Sequence, residues 1–391
     1  MTNRTRDKRP YGSGSLRIQG RKSWRLTFWV PGPDGRKRQS TETVQGTKKQ
    51  AEEVLRDRLQ SVANGGYVAR RAETVREFLD RWLATYAATN TTLRTQTGYR
   101  AMIERYVQRE IGDLPIQKFD GPAIQALYAR LSGRGLSART VLHLHRVLHV
   151  ALKHAVRWGV LARNPADAVT PPRPQSKSVE VWNGETVANF MSACRDSQYG
   201  PLFHIAVLTG LRRSELAGLR WEDVDFDRRR LRVVRTLQRL PGYGMVTGVP
   251  KTHRSRRSLS LSPDTIAVLR GARRVQLEAR LQAGAGWQES GCVFTRADGR
   301  PVHPDQVSHA FTKLARASGL PRLTLHGLRH VHATLLLTAG VHPKVVSERL
   351  GHSTVGITLD TYSHVLPSLE ESAAASIDEQ LVLKPHANTS G

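Results

Sequence analysis

Residues 325–337 read Leu-His-Gly-Leu-Arg-His-Val-His-Ala-Thr-Leu-Leu-Leu, and Leu350-Gly-His352 and Asp360-Thr-Tyr-Ser-His364 follow. This stretch decides the reading of the chain. It places two histidines, an arginine and a tyrosine on short helices separated by tight turns. His326 and Arg329 are three residues apart and share a helix face. Gly351 should end a helix running from Pro343 to Leu350 and so place His352 just beyond it. Arg329 offers a planar guanidinium fork that matches phosphate geometry and keeps its charge. A free phenol has a pKa of about 10, so Tyr362 is a nucleophile only where a base or a cation helps to remove its proton. Each piece also has a plain reading: a solvated helix face for the His-x-x-Arg pair, and a core position for the tyrosine. Together they suit one task, binding a phosphodiester and attacking it with a phenolic oxygen.

That task needs further cations, and the sequence supplies them upstream. Residues 208–219 read Leu-Thr-Gly-Leu-Arg-Arg-Ser-Glu-Leu-Ala-Gly-Leu. Gly210 interrupts a helical run that begins near Phe203, and a short helix follows. Arg212 then falls at a helix N-terminus, where backbone donors already converge on anions. Glu215, three residues on, is placed to buttress it. Pro250-Lys251-Thr252 precedes an alternating run, 254–261, that reads as a strand after a turn. A lysine on such a turn is a mobile point charge and a candidate proton donor.

With Arg212, Lys251, His326, Arg329, His352 and Tyr362 in this order, the sequence resembles the tyrosine recombinase (phage integrase) family. Residues 209–216 look like its first arginine box, Lys251 like the lysine of its β-hairpin and 326–329 like its His-x-x-Arg box. His352 looks like its second histidine and Tyr362 like its nucleophile. The match spans Val179 to Leu366. Gly327 departs from the pattern, since many members carry Asp there; that position supports the helix rather than the chemistry. The resemblance implies a site-specific recombinase that cuts and rejoins duplex DNA through a 3′-phosphotyrosine, with neither metal nor ATP as cofactor. Lys251 would protonate the leaving 5′-oxygen and His326 would take the tyrosine proton. The resemblance also implies a homotetramer on DNA, with an excisionase or DNA-bending protein as accessory partners.

Composition agrees. Lys plus Arg number 60 against 33 Asp plus Glu, a net charge of +27, which suits a polyanionic partner, nucleic acid before anionic membrane. Cys194 and Cys292 are the two cysteines, each in an apolar stretch, so buried reduced thiols and a cytoplasmic setting are expected, and the resemblance implies the nucleoid of a bacterial host. No apolar run approaches the roughly 20 residues of a membrane span, and the basic N-terminus lacks the apolar core of a secretory signal.

The expected fold class is α+β and multidomain. Residues 1–66 read as a small β-sheet-plus-helix module: strands at Ser15–Gln19, Trp24–Val30 and Arg36–Glu42, a turn at 31–35, then a helix opened by a Thr47/Gln50 capping box. It carries Arg17, Arg25, Arg36, Lys37 and Arg38. A sheet can enter the major groove, and the module resembles the arm-site-binding domain of some integrases. Residues 72–168 read as four helices and resemble the family's core-binding domain; Arg139, Arg146, Lys153 and Arg157 on the fourth are candidates for phosphate contact. His145 and His149 lie four apart on the same helix, but no carboxylate or cysteine nearby in sequence completes a metal site. Residues 169–178 form a Pro-rich basic linker. Residues 179–391 read as a mainly helical catalytic domain with a small antiparallel sheet, whose strands are expected at Leu231–Thr236, Ser258–Leu261 and Cys292–Thr295. A tail from Leu369 carries Ile377, Leu381 and Val382 and either packs on a neighbouring subunit or frays.

Three rival functions remain at this point. A type IB topoisomerase shares the chemistry, but the basic sheet module and the tail favour recombination between core and arm attachment sites. A DNA-binding regulator has no use for Tyr362 beside two arginine boxes. A metal-dependent nuclease needs paired carboxylates in its motifs. A phage or other mobile element is the expected source of the DNA.

Overall fold

The computed structural model describes residues 14–31, 36–175, 181–250, 255–362 and 377. The first ten residues, the turn residues 32–35, linker residues 176–178, Lys251 and the tail from Leu369, Ile377 apart, lie outside the described residues. The chain divides into two compact units, Met1–Ser176 and Lys177–Gly391.

The first unit holds two cores. Strands β1 (Ser15–Gly20), β2 (Ser23–Pro31) and β3 (Lys37–Gln45) form an antiparallel sheet in the order β1-β2-β3. Alternation along β2 sends Leu26 and Phe28 against Ala51 and Leu55 of helix α1 (Lys48–Ala63). The expected Thr47/Gln50 capping box starts α1. Four further helices enclose a second core around Phe78, Trp82, Tyr128 and Leu148. They are α2 (75–90), α3 (93–111), α4 (Gly121–Gly133) and α5 (Ala138–Arg157). Thr74, Asp120 and Ser137 cap α2, α4 and α5 with their side chains, which satisfies N–H groups the helices leave open. Helices α2 and α3 each contain a π-helical turn, at Leu83–Ala87 and Glu104–Gln108.

In the second unit, helices α6 (Gly184–Ala193), α7 (Gly200–Thr209), α9 (Pro263–Ala283) and α10 (Pro304–Ala317) pack around Trp182, Phe190, Phe203 and Phe311. Between α7 and α9 lie the short helix α8 (Arg213–Ala217) and the strands. The strands differ from expectation in two respects. The run at 231–236 is split: β5 (Arg230–Val233) pairs with β4 (Val224–Asp225) and β8 (Arg257–Ser260), whereas β6 (Thr236–Leu240) turns into a separate hairpin with β7 (Gly244–Gly248). The run at 292–295 forms isolated bridges, Arg220 to Cys292 and Thr295 to Pro301, and not a strand. The reason lies in a side chain of α9. The Gln276 side chain donates to the carbonyls of Cys292 and Val293 and so takes acceptors a ladder would need. The unit closes with α11 (Gly327–Thr338), α12 (Pro343–Leu350) and α13 (Val355–Tyr362). Among the described residues no helix is long and apolar enough to cross a membrane.

Candidate active site

The site is built where α7, α11 and α12 meet. Gly210 ends α7 with φ +64°, a conformation glycine adopts freely. A Cβ there would lie 2.7 Å from the His332 ring and 2.8 Å from a Leu350 methyl, so only glycine lets the three helices approach this closely. Two carbonyls at this junction then anchor Arg329, which is 4% exposed. Its Nη1 donates to Gly210 O at 2.9 Å and its Nη2 to Leu350 O at 2.7 Å. The next carbonyl, Gly351 O, accepts from Arg212 Nη2 at 3.0 Å. Two guanidinium groups from distant segments are therefore held on successive carbonyls at the end of α12. Helix C-terminal carbonyls carry partial negative charge, which favours cations here.

Glu215 fixes Arg212 from the other side. Its Oε1 accepts from Arg212 Nη1 at 2.8 Å and from Arg257 Nη1 at 3.2 Å. Its Oε2 accepts from the Arg212 backbone N–H at 2.9 Å and from Arg257 Nη2 at 3.0 Å. Burial alone would raise the Glu215 pKa, but the two arginines and the backbone donor outweigh it and hold the carboxyl below its ordinary range. Arg257 Nε donates in turn to Arg349 O at 2.6 Å, and Arg349 Nε to His332 Nε2 at 3.1 Å. The guanidinium row is thus backed by a second layer of charge.

The histidines divide by what they face. His326 keeps one side exposed at the head of α11; burial of the rest, then His330, Arg329 and Arg212, lower its pKa. His352 is half-buried just after α12, and burial with Arg329 and Arg212 pulls it down to about 4. Its Nδ1 is 2.8 Å from Thr358 Oγ1, on α13. His330 lies one turn along α11 from His326, the two rings edge to face at 5.4 Å. Its Nδ1 is 2.9 Å from the Tyr362 hydroxyl. Tyr362 is 2% exposed, and burial pushes its phenol up to about 12 despite the opposing influence of Arg329.

Arg212, Glu215, His326, Arg329, His352 and Tyr362 are therefore brought together, while Lys251 lies outside the described residues. His330, Arg257 and Arg349 escaped the sequence reading. His330 stood in the quoted stretch, directly after Arg329. Arg257 carried a signal that was overlooked: in the alternating run it shares parity with Leu259, on the buried side of β8.

The candidate DNA-contact residues fall into two groups. Register pairs Arg17 with Arg25 and Lys37 with Pro31, so these three share the sheet face away from α1 with Trp29. Arg38 pairs with Val30 and stands on the helix-facing side; Arg36 precedes β3. On α5, Arg139, Arg146, Lys153 and Arg157 are all exposed, at spacings that keep them in one stripe. His149 Nε2 does meet a carboxylate, Asp167 Oδ1 at 2.8 Å, contrary to the sequence reading, and His145 Nδ1 lies 3.1 Å from the Tyr128 hydroxyl. Among the described residues no group of three or more metal-ligating side chains occurs.

Comparison with known proteins agrees with this geometry. The model of the phage integrase family matches residues 182–368, and that of the phage integrase N-terminal SAM-like domain matches residues 74–132. A tyrosine recombinase XerC-like protein of Caldanaerobacter subterraneus is 29% identical over 381 residues, which cover 93% of this chain and 97% of that protein. The ICEBs1 integrase of Bacillus subtilis is 30% identical over 268 residues, 68% of this chain and 72% of that protein. Among solved structures, the Tn1549 transposon integrase with a circular intermediate DNA matches at TM-score 0.64 and 23% identity, covering 74% of this chain and 94% of that one. A lambda integrase tetramer bound to a Holliday junction matches at TM-score 0.57 and 18% identity, covering 91% and 96%. The chain belongs to the phage integrase family, and its class is that of the tyrosine-type site-specific recombinases.

Proposed function

We propose that this recombinase cuts and rejoins duplex DNA with Tyr362 as nucleophile, at the ends of a phage or other mobile element. The observation that carries this reading is the pair of guanidinium groups, Arg212 and Arg329, held on successive carbonyls beside the buried tyrosine. Two like charges held together are relieved by an anion between them, and a phosphodiester in attack supplies one. Tyr362 Oη attacks phosphorus, the bond to the 5′-oxygen breaks, and a 3′-phosphotyrosine remains. Arg212 and Arg329 meet the non-bridging oxygens. His352 joins them: with Thr358 donating to Nδ1, Nε2 carries the proton and is the donor. His326 lines the same anion site, and Lys251 gives its proton to the leaving oxygen. The 5′-hydroxyl of a partner strand then reverses the attack, so bond energy is conserved and neither ATP nor metal enters the scheme.

Residues 72–168 bind the core site in this reading, with the α5 stripe of Arg139, Arg146, Lys153 and Arg157 on the phosphates. Residues 1–66 bind arm sites through the face that carries Arg17, Arg25 and Lys37, with Arg36 and Arg38 at the rim. Residues 169–178 link the core-site domain to the catalytic domain, 179–391, and four protomers assemble on two DNA sites. Accessory bending or excision proteins direct the reaction.

The test is a nicked duplex bearing the element's end sequence, incubated with wild type and with Tyr362→Phe in EDTA. A covalent protein–DNA adduct in wild type alone supports the reading. Absence of an adduct from either protein on bound DNA overturns it. A two-site strand-exchange assay then separates recombination from topoisomerase-like relaxation.

A further inference from the structure

The resemblance gives the proton on Tyr362 to His326, and a second histidine, His330, lies one turn along α11. We infer that His330 takes the proton. The inference rests on Tyr362 being the nucleophile.

Geometry comes first. The hydroxyl of Tyr362 is hydrogen-bonded to His330 Nδ1 at 2.9 Å, a distance at which a proton transfers without rearrangement. His326 and His352 both neighbour the His330 ring, but the hydrogen bond of the Tyr362 hydroxyl goes to His330. The charged neighbours they share are Arg329 and Arg212, the anion-binding pair. For His330 the charged neighbour is Arg329, as it is for Tyr362. His326 and His352 thus sit nearer the Arg212–Arg329 pair, and His330 is the ring in contact with the nucleophile. The groups around His330 are Arg329 and His326 on its own helix, Tyr362 on α13 and His352 on the turn between α12 and α13. None is a carboxylate that would hold the ring protonated before reaction. Burial and Arg329 keep it neutral, so a lone pair is on hand at Nδ1 in the tautomer that carries its proton on Nε2.

The step balances. The Oη–H bond of Tyr362 breaks toward His330 Nδ1 as the Oη–P bond forms. The P–O5′ bond breaks, and the 5′-oxygen takes a proton from Lys251. On rejoining, the His330 imidazolium returns its proton to the departing Tyr362. An imidazolium beside Arg329 is unfavourable on its own and becomes tolerable when phosphate charge lies against the same guanidinium. Base strength at His330 is therefore coupled to occupancy by DNA, and an unbound protein does not hold a free tyrosinate.

The experiment measures single-turnover adduct formation on the nicked duplex as a function of pH, for wild type, Tyr362→Phe, His330→Gln, His330→Asn and Lys251→Ala. Binding of the same duplex and far-UV circular dichroism report folding. Wild type should be flat above the imidazole range and fall below it. The His330 variants should bind DNA normally and lose roughly 10²- to 10⁴-fold in rate at neutral pH. Their rates should then climb about tenfold per pH unit, because free tyrosinate is all that is left to react. A substrate with sulfur replacing the bridging 5′-oxygen separates base from acid, since a thiolate leaves without a proton. It should restore Lys251→Ala and leave His330→Gln slow. Rates near wild type in the His330 variants, or their restoration by the sulfur substrate, would overturn the inference. So would a wild-type rate that climbs about tenfold per unit from about pH 6 to about pH 9, a result that stands even if both variants misfold. An adduct from Tyr362→Phe would instead remove the nucleophile reading beneath it.

Discussion

Glu215→Gln should be among the most damaging near-isosteric changes in the catalytic unit. The native carboxylate is 3% exposed and accepts four hydrogen bonds, three from guanidinium nitrogens and one from the Arg212 backbone. Glutamine keeps one acceptor oxygen and turns an NH₂ toward N–H donors, so at least two of the four bonds become donor–donor contacts. The two arginines stay charged with their counter-ion gone, Arg257 buried and Arg212 partly exposed. Breaking a buried ion pair from one side costs about 3–5 kcal/mol. For a unit of about 200 residues, at about 2–4 °C per kcal/mol, the catalytic transition should drop by roughly 6–20 °C. The rate of adduct formation should fall as well, because Arg212 loses the group that aims it. The assay is thermal unfolding with hydrogen exchange read on peptides covering 200–260, which confines the signal to this unit. Arg257→Met in the same chain tests the cause. Removing the second buried cation should return part of the loss, a coupling of about 1–3 kcal/mol. A shift under about 2 °C, or losses that simply add, would mean that the carboxylate is solvated and that Arg212 is held by something else.

Gly210→Ala should destabilise the unit by about 1–3 kcal/mol and slow catalysis, because the new methyl meets His332 and Leu350 and displaces the carbonyl that anchors Arg329; calorimetry and the adduct assay read both effects. Arg212→Lys keeps the charge but cannot hold Glu215 and Gly351 O while also facing a phosphate, so adduct formation should drop about 10²- to 10³-fold with DNA binding little changed. Stability should also fall in mild acid. His332 and His352 have folded pKa values near 4, below the ordinary imidazole value, so their contribution is present above about pH 6.5 and is lost as pH falls toward 4. Melting curves taken across that window should slope downward; a flat profile would show that these rings charge freely in the folded chain.

Much of this architecture was legible because its signals are local. The Thr47/Gln50 box and the Gly351 stop each act within a few residues, and the structure has both. The alternation that placed Leu26 and Phe28 inward is equally short-range. The strand expected at 292–295 failed because the side chain that competes for its carbonyls, Gln276, comes from a helix 16 residues away. The catalytic set was readable as a list of residue types in order, since phosphate chemistry restricts which types serve. Its wiring was not. Arg329 reaches Gly210 across 119 residues, Arg212 reaches Gly351 across 139, and Arg257 reaches Glu215 across 42. Pattern within a helix or strand carries no information on such contacts. The contact of His330, one turn along from His326, with the Tyr362 hydroxyl became visible only with α11 and α13 in place.

The hydrogen bond between His352 and Thr358 has a mechanical meaning. Thr358 sits on the same eight-residue helix as Tyr362, one turn before it. On the proposed scheme, any force that drags this helix aside takes away the attacking oxygen and, in the same stroke, releases the imidazole set against the phosphate. On that scheme a displaced α13 leaves a site that has come apart in two places, not a finished one waiting for its nucleophile. On the same scheme a displaced helix would be poor at a second cut, so a strand once sealed beside it stays sealed.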